Sequence, residues 1–180
     1  MEKQTKFAVL VITGASGAGK TTLTDALRAQ QIAGVVCVQC DRVYDEFPEE
    51  LKAADGPTIQ ETILTHWLNH LLKAVEPIEL AVLETQIRPH HAQEILARFG
   101  VRHQRVLLVE CEGESRNARL CGERGQPELA THRMECWAAY LHGQADALRL
   151  PVIDTTDVPL ADSLQLLREQ VDVLLAAKRP

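Results

Sequence analysis

A chain of 180 residues is long enough for one domain with a proper core and short for two. Hydrophobic residues make up 46% and charged residues 24%, which is the composition of a globular rather than a disordered chain, and the net charge of −6 disfavours a protein that grips long nucleic acid by its backbone. No segment reaches transmembrane length and no signal peptide is visible, so the five cysteines, an odd number, are expected as reduced thiols in a cytoplasm.

Along the chain, short apolar runs alternate with longer amphipathic ones. Strands are predicted at residues 7–13, 35–39, 80–84, 105–110 and 151–154, all rich in Val, Ile and Leu as buried parallel strands are. Helical spacing lies between them. Leu23 and Leu27 mark a first helix, and Ile59, Ile63, Trp67, Leu71 and Val75 a second. Ala92, Ile95, Leu96 and Phe99 mark a third, with Gly100 as its stop. Another helix begins over 116–120. A long one carries Met134, Trp137, Leu141 and Leu148, and the last carries Leu160, Leu164, Leu167, Val171 and Leu174. This alternation predicts one α/β domain over 1–180, a three-layer sandwich with a parallel sheet covered on both faces. In such sheets ligands bind beyond the carboxyl ends of the strands, so the residues after each strand carry the functional reading.

After the first strand comes ITGASGAGKTTLTDAL, residues 12–27, which fits G-x-x-x-x-G-K-[ST] at Gly14, Gly19, Lys20 and Thr21. A backbone wrapped around phosphate must point several N–H groups inward, and a Cβ at the tightest points blocks the approach. The helix that begins near Lys20 adds its positive end. Gly14, Ala15, Ser16, Gly17, Ala18, Gly19, Lys20, Thr21 and Thr22 are therefore expected to hold a nucleoside triphosphate, ATP, with Lys20 on the β- and γ-phosphates and the Thr21 hydroxyl on Mg²⁺.

After the second strand, Asp41 is a carboxylate placed to accept a hydroxyl proton or to orient the acceptor, and Arg42 is a candidate for an anionic acceptor. Glu84 closes a run of apolar residues at the third strand's end. It is expected to support Mg²⁺ or the acceptor, and Arg88, four residues on, to clamp an acceptor anion. Arg116, Arg119 and Arg124 follow the fourth strand, interleaved with acidic residues, and at least one is expected to cover the transferring phosphoryl group. After the fifth strand, Thr156 or Asp157 is placed to cap the last helix, in a loop that also borders a nucleotide base.

Other signals read as structure. Cys37 and Cys40 form a C-x-x-C on a strand, where the two side chains point to opposite faces, so they read as buried thiols rather than a zinc or redox pair. His66 with His70, and His132 with Cys136, share helix faces but lack further metal ligands. His90 and His91, behind Pro89, stand near the site as candidates for a substrate contact.

With these residues in place the chain resembles the small P-loop kinases: nucleoside monophosphate kinases, shikimate and gluconate kinases and adenylylsulfate kinase. The resemblance follows element order over nearly the whole chain and is specific at motif level over residues 14–22. It implies a five-stranded parallel sheet in the order 2-3-1-4-5, and it places the family's acceptor aspartate on Asp41. Glu84-Thr-Gln-Ile-Arg88 keeps an acid and an arginine where nucleoside monophosphate kinases have Asp-Gly-Phe-Pro-Arg, without the Gly, Phe and Pro. The run from Arg119 to Gly125 resembles the short lid of metabolite kinases, a lid of about 113–130 here. The expected activity is ATP- and Mg²⁺-dependent transfer of the γ-phosphoryl group to a hydroxyl or anionic small-molecule acceptor, with no membrane partner. The alternatives are a nucleotide-dependent ATPase switch or binding module, against which a GTP switch lacks its [NT]-K-x-D run, and a kinase of nucleic-acid 5′ ends, which the acidic balance disfavours.

Overall fold

The computed structural model describes residues 5–49, 56–122 and 124–178. Five strands, β1 (Ala8–Thr13), β2 (Val35–Gln39), β3 (Leu80–Glu84), β4 (Gln104–Glu110) and β5 (Val152–Asp154), form one parallel sheet in the order β2-β3-β1-β4-β5. The described helices are α1 (Lys20–Ala29), α2 (Gly56–Leu71), α3 (Pro89–Arg98), α4 (Gly113–Cys121), α5 (His132–Leu148) and α6 (Leu160–Lys178), with short 3₁₀ turns at Cys40–Glu46 and Pro127–Leu129. The predicted strands and sheet order are those observed.

β1 lies at the centre because every one of its residues can be buried on both faces. Val9 and Val11 point into a core closed by α2 and α3, where Ile63, Leu64, Ile95 and Leu96 pack. Ala8, Leu10 and Ile12 point into the core beneath α1 and α6, with Leu23, Leu27, Leu167 and Val171. The side-chain period of two sorts the apolar run into two cores. The cysteines are separated too, although Cys40 lies one residue past β2, at the start of the 3₁₀ turn, and not on the strand as expected: Cys40 is buried in the first core and Cys37 packs against the second. Burial pushes the Cys40 thiol well above the usual range and that of Cys37 up as well, so both are inert thiols.

Two helix ends show how local chemistry sets boundaries. At α3, Gly100 takes φ +64°, its N–H reaches Ala97 O and the Val101 N–H reaches Leu96 O at 3.0 Å. This left-handed close is the stop expected from Gly100. At α2 the expectation fails: the helix ends at Leu71, and Val75, expected on its apolar face, is 97% exposed. Pro77 cannot continue a helix and disfavours the helical region at the residue before it, so the chain turns out ahead of Val75.

The register aligns the strand ends. Ile12 and Gln39 both pair with Glu84 across the neighbouring strands, so the ends of β1, β2 and β3 finish on one edge. Leu10 is wholly buried at the centre of this arrangement. Leu10→Ala is expected to lower unfolding stability by about 2–5 kcal/mol, read as a shifted urea midpoint with an unchanged slope.

Candidate active site

β1 runs into the loop at Thr13, whose hydroxyl donates to Ile87 O at 2.6 Å and so ties the loop's start to the segment after β3. The loop then passes through positions where side chains do not fit. A Cβ on Gly14 would stand 2.1 Å from Val109 O, and on Gly17, at φ +83°, 2.8 Å from Arg116 Cγ. Gly19, left-handed, delivers the chain into α1. The result is a backbone cradle at a helix N-terminus, the arrangement that receives phosphate.

Lys20 is 5% exposed and donates to Gly14 O at 2.8 Å and Ala15 O at 3.0 Å, across the loop. Burial pushes its ammonium below the usual range, while Glu84 and then Asp41 pull it back up. The next residue, Thr21, donates to Glu84 Oε1 at 3.1 Å. Glu84 is 7% exposed at the end of β3, and burial raises its carboxyl against the pull of Lys20. Asp41, in the first turn after β2, remains accessible to solvent. The protein crowded around it still pushes its carboxyl up, opposed by Lys20 and by the Thr85 hydroxyl, which donates to Asp41 Oδ1 at 3.3 Å. One ammonium, one hydroxyl and two carboxylates from three adjacent strand ends thus converge beside the cradle.

The arginines part company. Arg119 is committed: it donates to Thr155 Oγ1 at 2.9 Å and to the carbonyls of Thr155 and Thr156 at 2.6 and 3.1 Å. Arg124 is exposed and lines a cleft of about 310 Å³ with Gly17, Gly19, Thr21 and Thr22. It is close enough to Lys20 to press on its ammonium. Arg116 is buried and turned onto Cys111 O at 3.1 Å. Arg42 is exposed, and Arg88 stands at the N-cap of α3 with its guanidinium 5.6 Å from the centre of the Tyr140 ring. His90 meets Gln144 of α5 at 2.7 Å, bracing α3 against α5 rather than lying free. The last helix begins at Leu160, with the Asp162 and Ser163 N–H groups on Pro159 O rather than on Thr156 or Asp157, while in the loop before it Asp154 accepts from the Thr156 N–H at 2.9 Å.

Two residues stand in the site without having been singled out from sequence. Gln86 donates to Ser16 Oγ at 3.1 Å, joining the segment after β3 to the loop. The signal was alternation: Thr85 and Ile87 are fully buried, so Glu84, Gln86 and Arg88 share the other side of an extended run. Thr155 is buried and donates to Ala18 O at 2.9 Å, fastening the loop to the end of β5. No local pattern marks such a contact across 137 positions.

No family model and no curated protein matches the sequence. Solved structures do match the fold. A shikimate kinase from Acinetobacter baumannii in complex with shikimate is 19% identical with a TM-score of 0.57, over 96% of this chain and 95% of that one. A gluconokinase from Sinorhizobium meliloti is 14% identical with a TM-score of 0.54, over 97% of each chain. The chain has the fold of the small P-loop kinases. Within that fold the residues above occupy the carboxyl edge of the sheet, where doubly wound proteins bind ligands. Residues 50–55, part of the stretch 41–57 read from sequence as irregular, and Glu123, within the stretch of about 113–130 expected from the sequence as a lid, lie outside the described residues. Among the described residues no helix is long and apolar enough to cross a membrane.

The raised Glu84 carboxyl has a signed consequence. A buried acid whose folded pKa lies above its unfolded value binds more protons when folded, so it costs stability as pH rises through that interval. Glu84→Gln, which keeps an oxygen for the Thr21 hydroxyl, is expected to melt higher than the parent in ligand-free protein at pH 7–8. The gap should close as pH falls below the unfolded carboxylate range, in melts followed by circular dichroism.

Proposed function

We propose that the protein is an ATP- and Mg²⁺-dependent kinase that transfers the γ-phosphoryl group to a hydroxyl or anionic group of a small-molecule metabolite. The observation that carries this is the Thr21–Glu84 pair at 3.1 Å, set at the end of the glycine cradle and beside Lys20. A triphosphate suits the cradle, since Gly14 and Gly17 lie where a Cβ would meet other atoms. Mg²⁺ suits the oxygens of Thr21 and Glu84, hard ligands for a hard cation. When bound, the metal supplies charge neutralisation at the β- and γ-oxygens.

The chain's own residues take the following parts. The loop from Gly14 through Ala15, Ser16, Gly17, Ala18 and Gly19 to Lys20, Thr21 and Thr22 holds the nucleotide, with Lys20 on the β- and γ-phosphates. Asp41 accepts the acceptor's hydroxyl proton or orients it, and a carboxyl pushed up by its surroundings is a better base than an ordinary one. Of the lid arginines, Arg124 covers the transferring group, because it is the exposed one that lines the cleft. Arg119 fixes the loop after β5 on the base side. Arg116 has no part in transfer in this reading, since its guanidinium is turned onto Cys111 O. Arg42 and Arg88 receive an anionic group of the acceptor, and the odd count of cysteines favours a reducing cytoplasm.

The acceptor is found by screening metabolites for a raised melting temperature in the presence of Mg²⁺ and a non-hydrolysable ATP analogue, because a ligand of the folded state stabilises it by mass action. With that acceptor, Lys20→Ala is expected to lower turnover by at least about 100-fold, the scale of losing one preorganised electrostatic donor, while the protein stays folded. Full turnover by folded Lys20→Ala would contradict the assignment.

A further inference from the structure

A second cavity, of about 270 Å³, shares no lining residue with the nucleotide cleft. It lies between the nucleotide loop, the end of β4 and helix α5, and Arg116 lines it. Arg116 is 3% exposed, and its Nε is buried with no hydrogen-bond partner. Among the described residues it forms no salt bridge; one donor, Nη1, is used on Cys111 O. Its guanidinium also folds back on its own helix: Nη2 lies 3.8 Å from where a Cβ would stand on Gly113, the first residue of α4. The nine-residue helix has no side-chain cap at that end.

A buried cation has therefore been brought to the positive end of a helix. Each disfavours the other, and burial of an unpaired charge costs free energy besides. The acids in the cavity wall, Glu110, Glu112 and Asp154, make no salt bridge or hydrogen bond to Arg116 among the described residues. Glu110 is engaged by His142 Nδ1 at 2.8 Å, and Asp154 accepts from both the N–H and the hydroxyl of Thr156. Glu112 is exposed.

We propose that this cavity, which borders the nucleotide loop at Ala15 and Ala18 but shares no lining with the cleft of Arg124, is a second ligand site that takes a compact carboxylate on Arg116. The edge of a guanidinium presents two N–H groups to two carboxylate oxygens. The neighbouring acids favour this monoanion over a dianionic phosphate. Leu108, Ala138 and Leu141 offer an apolar wall to the ligand's body. Arg116 also links the cavity to the nucleotide loop, since its Cγ packs against Gly17.

The test is calorimetric titration of the full chain, with Mg²⁺ and a non-hydrolysable ATP analogue present to fill the loop. Isobutyrate and benzoate are the probes and inorganic phosphate the counter-probe. At least one carboxylate is expected to bind one-to-one. Arg116→Met should weaken it tenfold or more, and Ala138→Phe, which fills the cavity and leaves Arg116 in place, should do the same. Phosphate should bind at least tenfold more weakly. Absence of carboxylate binding, equal binding in both variants, or tighter binding of phosphate overturns the proposal. The readout needs no turnover, and the same carboxylate affinity is expected in Lys20→Ala without the analogue, so failure of the kinase reading is separable from failure of this one.

Discussion

The arrangement depends on one ammonium group that is kept out of water. Lys20 is buried against two loop carbonyls, with Glu84 and Asp41 the charges that hold it there. Each member is unfavourable alone: burial pushes the lysine down and both acids up. Together they offset part of one another, and two carboxylates against one ammonium leave a negative excess that suits a divalent cation. Groups already aimed and desolvated need not reorganise during a reaction, which is how this cluster would serve the proposed transfer.

Such a cluster is possible because the sheet register brings strand ends level. Glu84 is opposite both Ile12 and Gln39, so Asp41, two residues beyond Gln39, and Lys20, eight beyond Ile12, arrive from either side. Two apolar cores hold the register: a slip of one residue would turn Val9 and Val11 out of one core and Leu10 and Ile12 out of the other. Site geometry is in this sense a product of core packing.

The fold was legible in the sequence because its signals are local and periodic. The apolar runs gave the strands, and the glycine-lysine-threonine loop fixed the first strand–helix turn. The α2 end was misjudged because Val75 continues the helical spacing on paper while Pro77 ends it in space. At the site, Lys20, Thr21, Asp41 and Glu84 were legible by their place after strands. The separate fates of Arg116, Arg119 and Arg124 were not. Spacing says which face an arginine shares, whereas its partner is set by distant atoms: Thr155 for Arg119, Cys111 for Arg116 and the open cleft for Arg124. Gln86 was hidden for the same reason, its partner Ser16 being 70 positions away.

The proposed function turns on one point, that a γ-phosphoryl group held at the glycine cradle reaches a small molecule. The direct measurement is incubation of the protein with γ-labelled ATP, Mg²⁺ and a protein-free extract of small metabolites, followed by chromatography of the label. The proposed reaction yields label in a discrete low-mass product that is absent when Mg²⁺ is chelated and absent with the folded Asp41→Asn variant. Label appearing solely as inorganic phosphate, unchanged by the extract, would contradict it.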